Sequence, residues 1–336
     1  MGKNNRYTLP FIYKLCAGIV ALVGAFFVAM TFGAAEISAK EVWLALTSAA
    51  TNDSITMIRE IRLPREIAAI FVGAALAVSG AIMQGITRNP LADPGLLGLT
   101  AGANAALAVT VAFIPSANYL WITIACFAGA AAGALLVFGI GAASRGGFSP
   151  VRIVLAGAAV STFLFAVSEG IGIRFNISKD VSMWTAGGLI GTSWSQLQTI
   201  APMISLGIVV SLLLSRQLTV LSLSEEVAVG LGQKTRQIKA ILMAVMILLA
   251  GASVALVGNL AFVGLMVPHV VRVFVGTDYR YILPMSAVAG AVLMLLADTL
   301  GRTINAPYET PMAAIVAIMG LPFFLFVVRK GGKAFL

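Results

Sequence analysis

The stretch NLAFVGLMVPHVVRVF, residues 259–274, decides how often this chain crosses a bilayer. It is apolar but short, and it carries Pro268, His269 and Arg272. Longer apolar runs surround it, near 12–34, 66–86, 96–114, 119–142, 151–172, 197–215, 238–257, 281–300 and 310–328. Runs of this length cross a hydrocarbon core of roughly 30 Å as helices. Counting 259–274 makes the number even; omitting it makes the number odd. The chain ends settle the choice. Lys3, Arg6 and Lys14 lie at one end, and Arg329, Lys330 and Lys333 at the other. Positive ends stay in the cytoplasm, and two cytoplasmic ends need an even count. The stretch is therefore read as a span, and about ten transmembrane helices are expected. On this map fifteen of the 22 Lys and Arg residues fall inside and seven outside.

Composition agrees. Of 336 residues, 60% are hydrophobic and 10% charged, whereas a soluble domain is about half apolar and about a quarter charged. The chain is read over 1–336 as one all-α polytopic membrane domain. A transmembrane barrel would instead show alternating strands of about ten residues. The first run is too long for a signal-peptide core and is taken as a span. The net charge of +9 does not indicate nucleic acid, because Lys and Arg cluster at the ends of apolar runs. Cys16 and Cys126 lie in apolar runs, and the chain has one histidine. No metal-ligand spacing and no paired catalytic carboxylates are present, so neither a metal site nor an enzyme is expected. Gly- and Ala-rich spans such as GAALAVSGA (73–81) allow close helix approach.

Two stretches break the oil at membrane depth: RNPLADPGLLG (88–98) and GLMVPHVVR (264–272). Such breaks mark either a pathway or plain helix starts and kinks. A third anomaly is polar. LSLSEEVAVGLGQKTR, 221–236, holds Glu225 and Glu226 in a chain otherwise poor in charge. Ser222 and Glu225 have capping-box spacing. Leu223, Val227 and Leu231 form an apolar stripe, and Gly230 and Gly232 suit a helix stop. This is either a docking helix or an ordinary loop helix. GQKT (232–235) imitates the end of a phosphate loop, but Val227 stands where its first glycine belongs, so no nucleotide site is expected. On the outside, Arg59, Arg62 and Arg65 in REIRLPRE and Arg302 in DTLGR oppose the positive-inside bias. Asp298 lies four residues before Arg302 and could pair with it.

Several long motifs carry a family resemblance. RLPR (62–65), GAIMQGITRNPLADPGLLGLTAGA (80–103), GNLAFVGLMVPHVVR (258–272), LADTLGR (296–302) and GLPFF (320–324) follow one another in order. Together they resemble the FecCD-type permeases of ABC importers for iron–siderophore complexes and vitamin B12. The resemblance implies the type II ABC importer permease fold in a bacterial plasma membrane. It implies a second permease subunit, two cytoplasmic ATPase subunits that bind the ATP, and an extracytoplasmic substrate-binding protein. The chain itself would hold no cofactor. Residues 221–236 fall where the family carries its coupling helix, so Leu223, Glu225, Glu226, Val227 and Leu231 would meet the ATPase. Arg62, Arg65 and Arg302 match positions that meet carboxylates of the binding protein, with Arg59 as an addition. Phe148, Ser149 and Pro150 fall where relatives narrow the pathway. Iron–siderophore cargo leads, with haem or cobalamin as alternatives. An ion-coupled secondary transporter is the rival class, resting on Glu169, Asp298 and His269.

Overall fold

The computed structural model describes residues 10–33, 37–143 and 150–329, and all regular structure in them is helical. Lys3, Arg6, Phe148, Ser149, Lys330 and Lys333 lie outside the described residues. In chain order the helices are α1 (Phe11–Thr31), α2 (Ala39–Thr47), α3 (Asp53–Met57), α4 (Leu63–Thr87), α5 (Leu99–Phe113), α6 (Tyr119–Ala143), α7 (Pro150–Phe175), α8 (Ser178–Thr185), α9 (Trp194–Leu213), α10 (Ser215–Leu223), α11 (Glu225–Gly230), α12 (Thr235–Val257), α13 (Val263–Val275), α14 (Tyr279–Thr303) and α15 (Met312–Arg329). A π-helical turn, Ile58–Arg62, joins α3 to α4, and a 3-10 turn, Pro94–Leu97, precedes α5.

Eight of these segments are long and apolar enough to cross a membrane, and α5 and α13 are shorter apolar helices. The chain is thus a multi-pass membrane protein. Each expected run is found as a helix within a few residues of its predicted bounds. The stretch 259–274 is less than a full span. It starts as an irregular segment and becomes the thirteen-residue α13.

Helix α4 is the hub. It packs against α14, α12, α13 and α9, and nearly all of it is buried. Close approach explains its glycines. A Cβ on Gly73 would overlap the Gly290 carbonyl of α14, and one on Gly80 would overlap the Gly264 carbonyl of α13. Lipid supplies no hydrophobic drive between helices, so small residues at the contact let dispersion and carbonyl contacts hold the bundle.

The bundle has two polar ends. At one, Phe11 of α1 stacks near Tyr281 of α14, with ring centroids 4.6 Å apart, and Lys14 Nζ donates to the Phe274 carbonyl at 2.6 Å. Helix α10 meets α14 here too. Helix α15 begins at the opposite end, beside Gly301 and Arg65. Its 18 residues span about 27 Å, which returns Arg329 to the end that holds Phe11. Phe11, Arg329 and α11 therefore lie at one face of the described bundle.

Candidate functional site

The candidate site residues lie at the two ends of the bundle and in the breaks between them. At the face shared by the chain ends, α11 is a six-residue helix. The sequence suggests Ser222 as its cap. The structure uses Ser224, whose Oγ accepts from Val227 N–H at 3.1 Å, while Ser222 Oγ donates to the Thr219 carbonyl at 2.7 Å and so belongs to α10. The difference is a two-residue shift in helix start, because α10 runs on to Leu223 and only Ser224 has the extended backbone of a cap. The stop is as expected: Gly232 sits at φ +75°, and Gln233 N–H returns to the Ala228 carbonyl. Leu223, Val227 and Leu231 are 68, 45 and 70% exposed, whereas Ala228 is fully buried. The helix thus packs on the bundle through Ala228, but the expected stripe is not one helix face: Leu223 ends α10, Ser224 is extended, Val227 alone lies on α11, and Leu231 is its C-cap. Glu225 pairs with Lys239 at 2.7 Å. The backbone N–H of Glu226 and the Ser224 hydroxyl hold the Glu226 carboxyl below its ordinary range.

From α10 a hydrogen-bond chain leads into the interrupted helices. The Thr219 hydroxyl lies 3.1 Å from Asp278 Oδ1 and accepts from Tyr279 N–H at 3.0 Å. Arg280, with help from Thr219, holds the Asp278 carboxyl below its ordinary range. Arg272 donates to the Tyr279 hydroxyl at 3.0 Å and to Gln84 Oε1 at 2.6 Å. Gln84 in turn donates to the Gly264 and Leu265 carbonyls at 3.3 and 3.2 Å. The cause is Pro268. Proline has no N–H, so the carbonyl four residues earlier, that of Gly264, loses its helical partner. Within a membrane such a group must be satisfied by protein, and Gln84 does this. The other break is held likewise: Asn89 Oδ1 accepts from Leu91 N–H at 3.0 Å and Asp93 Oδ1 from Gly95 N–H at 2.7 Å. These links join α10, α14, α13 and α4. Sequence reading missed the links between helices because Thr219 with Asp278 and Tyr279, and Gln84 with Gly264, Leu265 and Arg272, are remote along the chain.

The opposite end corrects an expectation. Arg59, Arg62, Arg65 and Arg302 were expected to face outward toward a partner. Arg62 is 6% and Arg302 4% exposed. Arg62 donates to the Met30 carbonyl at 2.8 Å. Arg302 donates to the Ala29 carbonyl at 3.0 Å, pairs with Glu66, and places Nε 2.9 Å from Asp298 Oδ2. Arg59 donates to the carbonyls of Ala45, Ser48 and Ala50. Arg65 binds Asp298 at 2.8 Å and grips Glu309 with both terminal nitrogens, at 2.8 and 2.9 Å. Three arginines (62, 65, 302) thus balance three carboxylates (66, 298, 309). The physical reason is desolvation: a buried guanidinium needs charge and hydrogen-bond partners, and α1, α4, α14 and the loop before α15 supply them. Only the Arg65–Glu309 edge reaches the surface, with Glu309 side-chain exposure of 31%. The i,i+4 pair of Asp298 with Arg302 was legible in the sequence; Glu66 and Glu309 as partners were not.

Pro150 opens α7. Among the described residues no group of His, Cys, Asp and Glu could hold a metal ion. His269 is buried on α13, edge-on to Phe323.

Comparison with known proteins gives one answer. The family model of the FecCD transport family matches residues 21–330. The chain is 44% identical over 324 residues to the iron(3+)-hydroxamate import system permease protein FhuB of Bacillus subtilis (strain 168), covering 96% of this chain and 84% of that protein. It is 37% identical to the hemin transport system permease protein HmuU of Yersinia pestis, covering 97% and 96% of the two chains. Its fold is similar to that of a solved metal-chelate type ABC transporter in an inward-facing conformation, with a TM-score of 0.83 at 26% identity over 95% of this chain and 99% of the other.

Proposed function

Because the chain belongs to the FecCD transport family, we propose that it is the membrane-spanning permease of an ATP-driven importer and carries ferric siderophore complexes, with ferric hydroxamates first among them. The whole chain acts as one permease unit. A second permease subunit completes the pathway, two cytoplasmic ATPase subunits hold and hydrolyse the ATP, and an extracytoplasmic binding protein delivers cargo. The chain lies in a bacterial plasma membrane with both termini in the cytoplasm.

The observation that carries this reading is α11. A short helix with an acidic first turn carries exposed Val227, and Leu223 just before it and Leu231 just after it are exposed as well. Exposed apolar residues rimmed by charge suit a groove on a partner protein. ATP-driven closure of the ATPase pair moves this helix, and rigid-body motion of the bundle follows. The Thr219–Tyr279–Arg272–Gln84 links carry that motion toward the break at Gly264. Ferric hydroxamate leads over haem because the hydroxamate permease is the more similar of the two relatives. Ion-coupled transport has less support, since Asp298 is already balanced by Arg65 and Arg302.

Docking of the binding protein is assigned to the opposite end. Arg65 and Glu309 lie at its rim with the exposed Lys40, Asp53 and Glu60, Arg59 is half-buried, and Arg62 and Arg302 serve the interior. Co-purification tests the coupling half of this reading. Tagged permease should bring down an ATPase subunit, and Val227→Asp should lower the recovered ATPase at least about tenfold, because a charge in a buried groove lacks a partner. Full recovery with Val227→Asp would contradict it.

A further inference from the structure

Between α5, α7 and α8 lies a cavity of about 410 Å³, within the range of about 300–1,000 Å³ typical of small-molecule sites. Helix α7 lines it with Ser168 and Glu169, α8 with Ser178, Ser182 and Thr185, and α5 with Asn104. The α8 residues recur at i, i+4 and i+7, so the flank of that helix, rather than its N-terminus, faces the cavity. Asn104 is 6% exposed and Ser168 2%. Thr185 Oγ1 donates to Asn104 Oδ1 at 2.8 Å, and Ser168 Oγ donates to the Asn104 carbonyl at 3.2 Å. Thr185 Oγ1 also lies 2.7 Å from the Val181 carbonyl, so its one proton is shared and the Asn104 side-chain amide keeps hydrogen-bonding capacity for an occupant. Glu169 is the one charged residue among the lining residues. It lies six residues before the end of α7, about 9 Å along the helix axis. An ionisable group on a membrane-spanning helix points to a water-filled or ligand-filled space rather than to lipid.

We propose that this cavity is a cargo site for neutral or cationic ferric chelates, and that Glu169 sets its charge preference. The inference rests on the permease reading above and narrows its substrate class. Four hydroxyls and an amide match the carbonyl and N–H groups of a hydroxamate chelate, because hydroxyls both donate and accept. A lone carboxylate repels a multiply anionic catecholate or citrate complex and attracts a pendant ammonium. The cavity is open and holds one part of a chelate, the rest facing the pathway.

The test uses the complete importer in proteoliposomes, with binding protein, ATPase subunits and ATP. Two probes are compared: a neutral ferric trihydroxamate and the same chelate bearing a pendant ammonium. Each is supplied at a concentration that saturates the binding protein. Because only the permease is altered, any change in the uptake ratio comes from the permease. Glu169→Gln should lower the cationic-to-neutral ratio about tenfold; a ratio unchanged within about twofold would overturn the charge role. A second measurement stands apart from uptake. In a Cys16→Ala, Cys126→Ala chain carrying Ser182→Cys, the neutral chelate delivered during turnover should slow maleimide labelling at 182. A labelling rate indifferent to cargo would overturn the site. If the unmodified importer moves neither chelate, the ferric-hydroxamate reading falls as well. If it moves them while both Glu169 and position 182 prove indifferent, only this inference falls.

Discussion

Arg302 shows how a single residue is fixed by its surroundings. Its guanidinium reaches Glu66, Asp298 and the Ala29 carbonyl while 4% exposed. Breaking a buried pair by removing one partner costs about 3–5 kcal/mol, because the other charge is left uncompensated. Arg302→Ala should therefore lower the thermal stability and yield of the purified permease, and Arg302→Lys should not restore them, since an ammonium cannot reproduce the fork. A variant as stable as the native chain would mean that the network is not structural. Arg65→Ala should loosen the loop before α15 as well as the network, since Arg65 grips Glu309 with both terminal nitrogens. At this scale the sequence was half legible. Helical spacing exposes the Asp298–Arg302 pair, but Glu66 is 236 residues away from Arg302 and Glu309 is 244 away from Arg65. No local pattern brings them together, so all four arginines read as a docking surface although two of them, Arg62 and Arg302, are buried.

At the scale of elements, hydrophobic length located the spans well. Ten apolar runs became helices because each must satisfy its own backbone in lipid. The short helices α2, α3 and α8 were not foreseen, since pieces of five to nine residues carry too little periodicity to stand out. Helix α11 was foreseen, yet its cap was placed two residues early because Ser222 and Ser224 both offer a hydroxyl ahead of the acidic pair. The role of Gln84 was invisible until the fold placed it opposite the carbonyl freed by Pro268. Gln84→Leu would leave that carbonyl and Arg272 without their partner, a penalty of about 1–3 kcal/mol. The expected outcome is reduced thermal stability together with fewer cargo molecules moved per ATP. Thr219→Val, at the other end of the same chain of bonds, should reduce that stoichiometry while the ATPase still co-purifies. Native stoichiometry in both variants would rule out these bonds as the route of coupling.

For the molecule as a whole, the described helix ends Phe11 and Arg329 share a face with α11, and the proposed function puts that face in the cytoplasm. Labelling intact cells with an impermeant maleimide, in a chain lacking its native cysteines, should reach Thr56→Cys and miss Lys234→Cys. Labelling at 234 from outside would reverse the assignment. The close helix contacts predict a further sensitivity. Gly80→Val should disrupt the bundle, because its side chain would meet the Gly264 backbone, and loss of folded protein on size-exclusion chromatography would report it.

The central claim is ATP-driven import, and uptake measures it most directly. Proteoliposomes holding this permease with its ATPase subunits, supplied with binding protein and a radioiron ferric trihydroxamate, should accumulate iron only when ATP is present at the ATPase face. Collapsing the proton and sodium gradients should leave that uptake unchanged. Accumulation that persists without ATP and follows an imposed ion gradient would contradict the account and make the chain a secondary transporter.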